Sequence, residues 1–311
     1  MSEKVKILIA DKIDISHLDI LNKSNFQISI KIGMSNTQLL NYSYGKKFKV
    51  LLIKSKRIID KVFLSRCDFR LIGTASKGLD HIDTDYATKR SIAIINSETG
   101  NTLSAAEHTL ALILDSVKKI HFADKLVRQG QFPNTNYERR TLSGKKIGII
   151  GTGKVGLLVA KFAKVFNMDI IANDIDPKVI NKNKDLNYYD IEYLLKNSDI
   201  ITVHIPMCEN NREFIDKKSI DIMRKNVIFV NTSRGNVVDE KYLVQKLKTE
   251  KLFFAALDVF WNEPNVNKEL FGLKNVLLTN HVAGKTLEGE QGIGNELFMQ
   301  VKNMYSKLML S

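Results

Sequence analysis

The sequence predicts an α/β protein built of two doubly wound parallel-sheet domains, and three observations predict it. Short apolar runs alternate with helical patterns from Lys4 to Asn96, a second alternation of the same kind begins at Ile147, and an amphipathic stretch starting at Ser104 lies between them. Runs of strand length separated by segments of helical period imply parallel strands joined by crossover helices.

The elements follow in order. In the first series Ile7 to Ala10, Phe26 to Ile30, Lys49 to Ile53, Leu71 to Ala75 and Ile92 to Ile95 are short, apolar and rich in β-branched residues, so they read as buried strands. Ser104-Ala105-Ala106-Glu107 has the form of a capping box, and Leu110, Leu112, Ile113, Leu114 and Val117 keep helical spacing after it, which predicts one long helix through about Val127. Residues 129–143, with Pro133, are the nearest thing to an irregular linker. The second series holds Ile147 to Ile150, Met168 to Ala172, Ile200 to His204, Val227 to Asn231, Phe253 to Leu257 and Val276 to Thr279; six strands suit a doubly wound sheet. The segment after Gly284 reads as a final helix that packs back on the first domain. The expected division is therefore a discontinuous domain of 1–98 plus 286–311 and a continuous one of 99–285.

Composition narrows the class. With 44% hydrophobic and 26% charged residues over 311 positions, the chain has the make-up of an ordinary globular enzyme rather than a disordered one. No apolar stretch approaches the roughly 20 residues of a membrane span, and no export signal precedes Val5, so the expected location is the cytoplasm and no membrane partner is expected. Only Cys67 and Cys208 occur, too few for a disulfide framework or a metal cluster; both read as small buried apolar residues, and no metal is expected. The net charge of +13 comes from lysines spread along the whole chain rather than from a patch, which argues against a nucleic-acid partner. The cluster Lys54-Ser55-Lys56-Arg57 reads either as a solvated face or as a device that concentrates an anionic substrate.

Gly151-Thr152-Gly153-Lys154-Val155-Gly156 sits between a buried-looking strand and a helical pattern (Leu157, Ala160, Ala163), the context that makes a glycine-rich turn a dinucleotide site. The first glycine permits the tight turn, the second lets the backbone approach a pyrophosphate, the third lets helix pack on strand, and the helix N-terminus faces the phosphates. Asp174 ends the next apolar run at about the 20-residue spacing of a ribose-binding carboxylate, which favours NAD over NADP; Asp176 is a weaker candidate for that role. The second domain thus reads as a Rossmann NAD-binding domain and the first as a flavodoxin-like substrate domain.

Ligands of open parallel sheets lie at the carboxyl ends of the strands. Arg234 follows one predicted strand, Glu263 the next and His281 the last, offering a cation, an acid and an imidazole. Singly, each has a plain structural alternative: a solvated arginine, a turn glutamate, a structural histidine.

The run Gly73-Thr74-Ala75-Ser76-Lys77-Gly78-Leu79-Asp80-His81-Ile82-Asp83, the segment Gly100 to His108, the glycine turn, Asn231 to Gly235, Leu257-Asp258-Val259-Phe260 through Pro264, and His281-Val282-Ala283-Gly284 occur in an order that resembles the D-isomer-specific 2-hydroxyacid dehydrogenase family over nearly the whole chain. That family includes phosphoglycerate, glycerate, lactate and erythronate-4-phosphate dehydrogenases. The resemblance implies that Arg234 clamps the substrate carboxylate, His281 exchanges the proton and Glu263 orients it. It implies further that Ser76, Lys77, Gly78 and Asn101 line the substrate, and that Gly151, Gly153, Lys154, Val155, Gly156, Asp174, Thr232, Asp258, His281 and Gly284 meet the cofactor, with Asp258 at its nicotinamide end. His204 is placed nearer the adenosine half and left out of the site. His108 reads as a packing or interface residue, and the helix starting near Ser104 as the contact of a homodimer.

Lys54 stands where phosphoglycerate dehydrogenases commonly carry arginine, and Thr74 where many carry another; a lysine still holds a phosphate as a point charge. 3-Phosphoglycerate, and with it serine biosynthesis, is therefore the first expected substrate among small anionic 2-hydroxy and 2-oxo acids, although the chain ends at Ser311 without the regulatory domain of long phosphoglycerate dehydrogenases. The competing readings are an NAD-binding interaction module, as the C-terminal-binding corepressors of this fold family are, and a family enzyme of another small acid, formate or phosphite included. Turnover separates them.

Overall fold

A computed structural model describes residues 4–21, 25–132, 138–249 and 253–310. The chain divides into two compact units, Met1–Thr102 with Lys285–Ser311, and Leu103–Gly284. Residues 133–137 of the expected linker, Pro133 among them, lie outside the described residues.

In the first unit β1 (Val5–Ile9), β2 (Phe26–Ile30), β3 (Phe48–Ile53), β4 (Leu71–Thr74) and β5 (Ala93–Asn96) form a sheet of order β2-β1-β3-β4-β5, all pairs parallel. The crossovers carry α1 (Asn36–Ser43), α2 (Lys61–Arg66) and α3 (Thr84–Lys89). Ser35 with Gln38 makes a capping box at α1, and Asp60 and Asp83 cap α2 and α3 through backbone N–H groups. The central strands β1 and β3 are apolar on both faces, so alternate residues feed different cores: Ile7, Ile9, Val50 and Leu52 face one, Leu8, Leu51 and Ile53 the other.

In the second unit the chain runs through α4 (Thr102–Lys118), α5 (Ile120–Arg128), β6 (Lys146–Ile150), α6 (Lys154–Val165), β7 (Asp169–Asn173), α7 (Pro177–Lys182), α8 (Ile191–Asn197), β8 (Ile200–Val203), α9 (Lys217–Ile222), β9 (Ile228–Asn231), α10 (Glu240–Thr249), β10 (Phe254–Leu257) and β11 (Val276–Leu278). Its sheet has the order β11-β10-β9-β8-β6-β7, again parallel throughout. A single parallel bridge, Ala172 to Tyr188, extends it beyond β7. Counting that bridge as a vestigial third strand gives the doubly wound order 3-2-1-4-5-6 with one strand added, and the switch point falls between β6 and β8.

Two more helices, α11 (Leu287–Asn303) and α12 (Tyr305–Leu310), complete the first unit. Ile293, Leu297, Phe298 and Val301 of α11 are buried in the same core as Val5, Ile7 and Ile9. The carboxylate of Glu296 accepts hydrogen bonds from Ser97 Oγ and from the N–H groups of Glu98, Thr99 and Gly100, at 2.7–3.1 Å. Gly100 packs directly on α11, where a Cβ would lie 2.4 Å from Ile293 N.

Two expectations are corrected. The helix predicted from Ser104 to Val127 is two helices: it starts at Thr102, which places Ser104 inside its first turn and buried rather than at its cap. It breaks at Lys119, which adopts the left-handed conformation (φ 57°). Asp115 fixes the break, because its carboxylate accepts from His121 N–H at 2.9 Å and binds His121 Nδ1. Cys67 is buried as expected, but Cys208 is exposed. Burial pushes the Cys67 thiol pKa up.

Candidate active site

The glycine turn links β6 to α6 at the switch point of the second sheet. Gly151 has φ +87°, a conformation that costs glycine little and other residues much. A Cβ at Gly156 would lie 2.1 Å from Gly151 O, so this glycine is what lets α6 start tight against the turn. Gly153 differs: nothing lies within 4 Å of its would-be Cβ. Space is therefore open in front of Gly153 and Lys154, where the first N–H groups of α6 lack helical partners, and this opening fits a pyrophosphate. Val155 is half-buried against the core below, which leaves its backbone rather than its side chain for a ligand. Asp174, just past β7, accepts from Thr152 N–H at 2.7 Å and Thr152 Oγ1 at 3.0 Å, so the acid sits beside the turn. Asp176 instead caps α7 through Lys178 N–H. The backbone of His204 borders the turn: its carbonyl carbon would stand 3.0 Å from a Cβ on Gly151.

At the carboxyl ends of β9, β10 and β11 the structure brings Arg234, Glu263 and His281 together. Asn231, nearly fully buried, shapes the first loop: its Oδ1 accepts from Ser233 N–H and Oγ, and its Nδ2 donates to Arg234 O. Gly235 then packs on the second loop so closely that a Cβ there would lie 1.9 Å from Phe260 C. Glu263 Oε1 accepts from Phe260 N–H at 3.0 Å, and Oε2 lies 2.6 Å from His281 Nδ1. Burial pushes the Glu263 carboxyl up, but the bonds from His281 and Phe260 and the charges of His281 and Arg234 outweigh it and hold the group below the usual carboxylate range. The His281 and Glu263 side chains are 45% and 33% exposed, so the dyad is open to a ligand.

His281 itself has φ 56°, a left-handed conformation that costs a non-glycine residue about 1–2 kcal/mol and that the surroundings must enforce. Asp258 enforces it. Its carbonyl accepts from His281 N–H, and its wholly buried carboxylate accepts from Val282 N–H, Ala283 N–H and Thr279 Oγ1 at 2.6–2.9 Å. Burial raises the Asp258 carboxyl pKa, yet the donors around it, His108 first, win and lower it. The family resemblance implies that Asp258 meets the nicotinamide end of the cofactor; in the structure its carboxylate also holds the loop that carries His281. His108, read as a packing residue, joins the same network, 3.2 Å from Thr279 Oγ1 and 3.6 Å from Asp258 Oδ1. Asn231 and His108 were the residues sequence reasoning missed; each stands in a motif whose neighbour drew the attention. Thr232 shares a 2.8 Å hydrogen bond with Thr109 of α4, and Gly284 is half-buried at the end of the His281 loop.

In the first unit Lys54 and the Ser76–Gly78 loop leave adjacent strands at one level, since Ile53 pairs with Thr74 and Ala75 N–H donates to Ile53 O. The loop is internally braced: His81 Nε2, Thr74 Oγ1, Ser76 Oγ and Gly78 O form a chain of contacts at 2.8, 3.0 and 2.9 Å. Asn96 Nδ2 donates to Lys77 O. Asn101 lies half-buried one residue before α4. Of the basic cluster, Arg57 is structural, its guanidinium bidentate on Asp11 and donating to Asn36 Oδ1 and Met34 O. Lys54 Nζ is ion-paired with Glu290 of α11.

Residues 110–283 match the family model of the D-isomer specific 2-hydroxyacid dehydrogenase, NAD binding domain. The chain is 34% identical over 305 residues to the D-3-phosphoglycerate dehydrogenase of Archaeoglobus fulgidus, covering 96% of this chain and 57% of that protein. It is 33% identical over 256 residues to the hydroxypyruvate reductase of Thermotoga maritima, covering 81% of this chain and 83% of that one. Among solved structures it resembles D-lactate dehydrogenase from Aquifex aeolicus complexed with NAD and lactic acid, with a TM-score of 0.83 and 26% identity over 98% of this chain and 96% of that one. The chain thus spans little more than half the length of its phosphoglycerate dehydrogenase relative. The second unit carries the NAD-binding domain, and the chain belongs to the D-isomer-specific 2-hydroxyacid dehydrogenase family.

Proposed function

We propose that the chain is an NAD-dependent dehydrogenase that interconverts a D-2-hydroxy acid and its 2-oxo acid. The observation that carries this reading is the Glu263–His281 dyad at strand ends beside Arg234. A dinucleotide held by the Gly151–Gly156 turn would bring the chemistry of hydride transfer to the substrate carbon. The protein's task is the proton and the charge. With His281 Nδ1–H donating to Glu263, Nε2 is left to give a proton to the carbonyl oxygen during reduction or take it from the hydroxyl during oxidation. Arg234 offers a planar carboxylate two parallel hydrogen bonds. Asp174 accepts hydrogen bonds from ribose hydroxyls and repels a 2′-phosphate.

Within that class 3-phosphoglycerate, and a place in serine biosynthesis, draws support from the Archaeoglobus relative and from Lys54. The Lys54–Glu290 pair favours a second reading, an unphosphorylated acid such as hydroxypyruvate, the substrate named for the Thermotoga relative. Loss of NADH absorbance with a panel of phosphohydroxypyruvate, hydroxypyruvate, pyruvate and glyoxylate tests the class and ranks the acids. NADH binding without turnover of any of them supports the interaction-module reading instead.

We also propose a homodimer. α5 buries none of its residues within this chain, and its Ile120 and Val127 are 58% and 56% exposed, an apolar face that a second copy would cover. A reducing cytoplasm suits the free Cys67 and Cys208. No described helix is long and apolar enough to cross a membrane.

A further inference from the structure

A cavity of about 590 Å³ opens at the carboxyl ends of β1, β2 and β3, where the order of the first sheet reverses between β1 and β3. Isoleucines rim it, and its charged lining is Asp11, Lys12, Asp14, Lys54 and Glu290. Three carboxylates thus face two ammonium groups, and Arg57, which neutralises Asp11, brings the balance no further than neutral. Lys54 reaches this cavity from the end of β3, one strand away from the Ser76–Gly78 loop. There its ammonium meets the carboxylate of Glu290 from the first turn of α11, with the two side chains 31% and 33% exposed. Lys54 N–H donates to Asp11 Oδ2 at 2.9 Å, so the base of the side chain is fixed as well.

We propose that Glu290 is a specificity-determining residue that turns the subsite around Lys54 against phosphorylated substrates and toward 2-oxo acids with a short uncharged side chain. The proposal rests on the dehydrogenase reading. A phosphate monoester carries about −1.5 to −2 charge at pH 7. To reach the Lys54 ammonium it must take Glu290's place or lie beside that carboxylate, and like charges placed together select against the charged ligand. A hydroxymethyl or hydrogen substituent meets no such opposition and leaves the ion pair intact. Specificity here comes from a repulsive element, which is why Lys54 alone, read from sequence, points to phosphate while the pair points away from it.

The test compares phosphohydroxypyruvate with hydroxypyruvate in the wild-type chain, Glu290→Gln, and Glu290→Gln combined with Lys54→Gln. The expected kcat/KM of the wild type favours hydroxypyruvate. Glu290→Gln, which keeps size and removes charge, is expected to raise the ratio of phosphorylated to unphosphorylated kcat/KM by about tenfold or more, through KM for the phosphorylated acid. Adding Lys54→Gln is expected to cancel that gain. An unchanged ratio in Glu290→Gln, or a gain that persists without Lys54, overturns the assignment. Calorimetric titration of 3-phosphoglycerate into the same proteins reads the contrast without turnover. If no acid is reduced yet binding tightens about tenfold in Glu290→Gln, the subsite stands and the dehydrogenase reading falls; if binding does not tighten, the subsite falls.

Discussion

Gly235→Ala is the substitution by which the structure most sharply predicts a loss of activity from a residue that touches no ligand. The added Cβ would lie 1.9 Å from Phe260 C, 2.0 Å from Phe260 O and 2.5 Å from Trp261 N, whereas real Cβ atoms essentially never come closer than 3.0 Å. All three atoms are backbone, so no side chain can swing aside. The loop carrying Arg234 and the loop leading to Glu263 must part by at least the difference between 3.0 and 1.9 Å, about 1.1 Å. A displacement of about 1 Å in a reacting constellation costs on the order of 100-fold in rate, or about 2.7 kcal/mol of transition-state stabilisation. Overpacking of this kind also costs about 1–3 kcal/mol of stability. The assay is kcat/KM for the best 2-oxo acid beside NADH affinity by fluorescence and a thermal melt. The expected result is a loss near 100-fold with NADH affinity within about threefold of wild type, because the Gly235 contact is with Phe260 and Trp261 and not with the glycine turn. A folded variant with kcat/KM within threefold of wild type would refute the claim that this backbone contact sets the spacing of Arg234 and Glu263.

Three further outcomes follow from the same geometry. Gly153→Ala meets no protein atom and should melt like wild type, yet weaken NADH by about tenfold or more because its methyl occupies the space left for the pyrophosphate; Gly156→Ala, 2.1 Å from Gly151 O, should instead lower the melting temperature, and equal melts for the two would contradict the reading of the turn. Asp174→Ala should reduce discrimination against NADPH in steady-state assays; unchanged discrimination would move the preference to another residue. The Glu296 carboxyl is pushed up by burial but pulled further down by Ser97 and the N–H groups of Thr99 and Glu98, so the folded state binds its proton less readily than the unfolded chain. Its contribution is present above the ordinary value of 4.5 and is lost as pH falls through the depressed folded value. Glu296→Gln should therefore lower the melting temperature by about 3–6 °C at pH 7 and by less below pH 4, and a pH-independent difference would refute the ionic role of the clamp.

The central strands were legible because each is a short run of residues buried on both faces, β4, β8, β9 and β10 throughout, and β2, partly exposed at the sheet edge, still has the bounds the sequence predicts. The bridge at Tyr188 was not legible, since one paired residue leaves no periodic signal. Nor was the break at Lys119: the apolar spacing continues across it, and what stops the helix is a side chain four residues earlier reaching past it to His121. The Ser104 motif misled for a related reason, as the residue pattern of a capping box recurs inside a first turn when the helix starts two residues earlier. Arg234, Glu263 and His281 could be named because each follows a strand of one sheet, where loops converge. The partner of Lys54 could not, because Glu290 is 236 residues away and meets it only through the docking of α11 on the first sheet.

The most direct test of the central claim is the rate of NADH oxidation by the wild-type chain and by His281→Ala with the best acid of the panel, measured beside NADH affinity. The proton-transfer role predicts turnover in the wild type, a fall of about 100-fold or more in the variant, and NADH affinity little changed. Wild-type turnover that survives in His281→Ala would contradict that role, and a wild type that binds NADH but reduces no 2-oxo acid would contradict the activity itself.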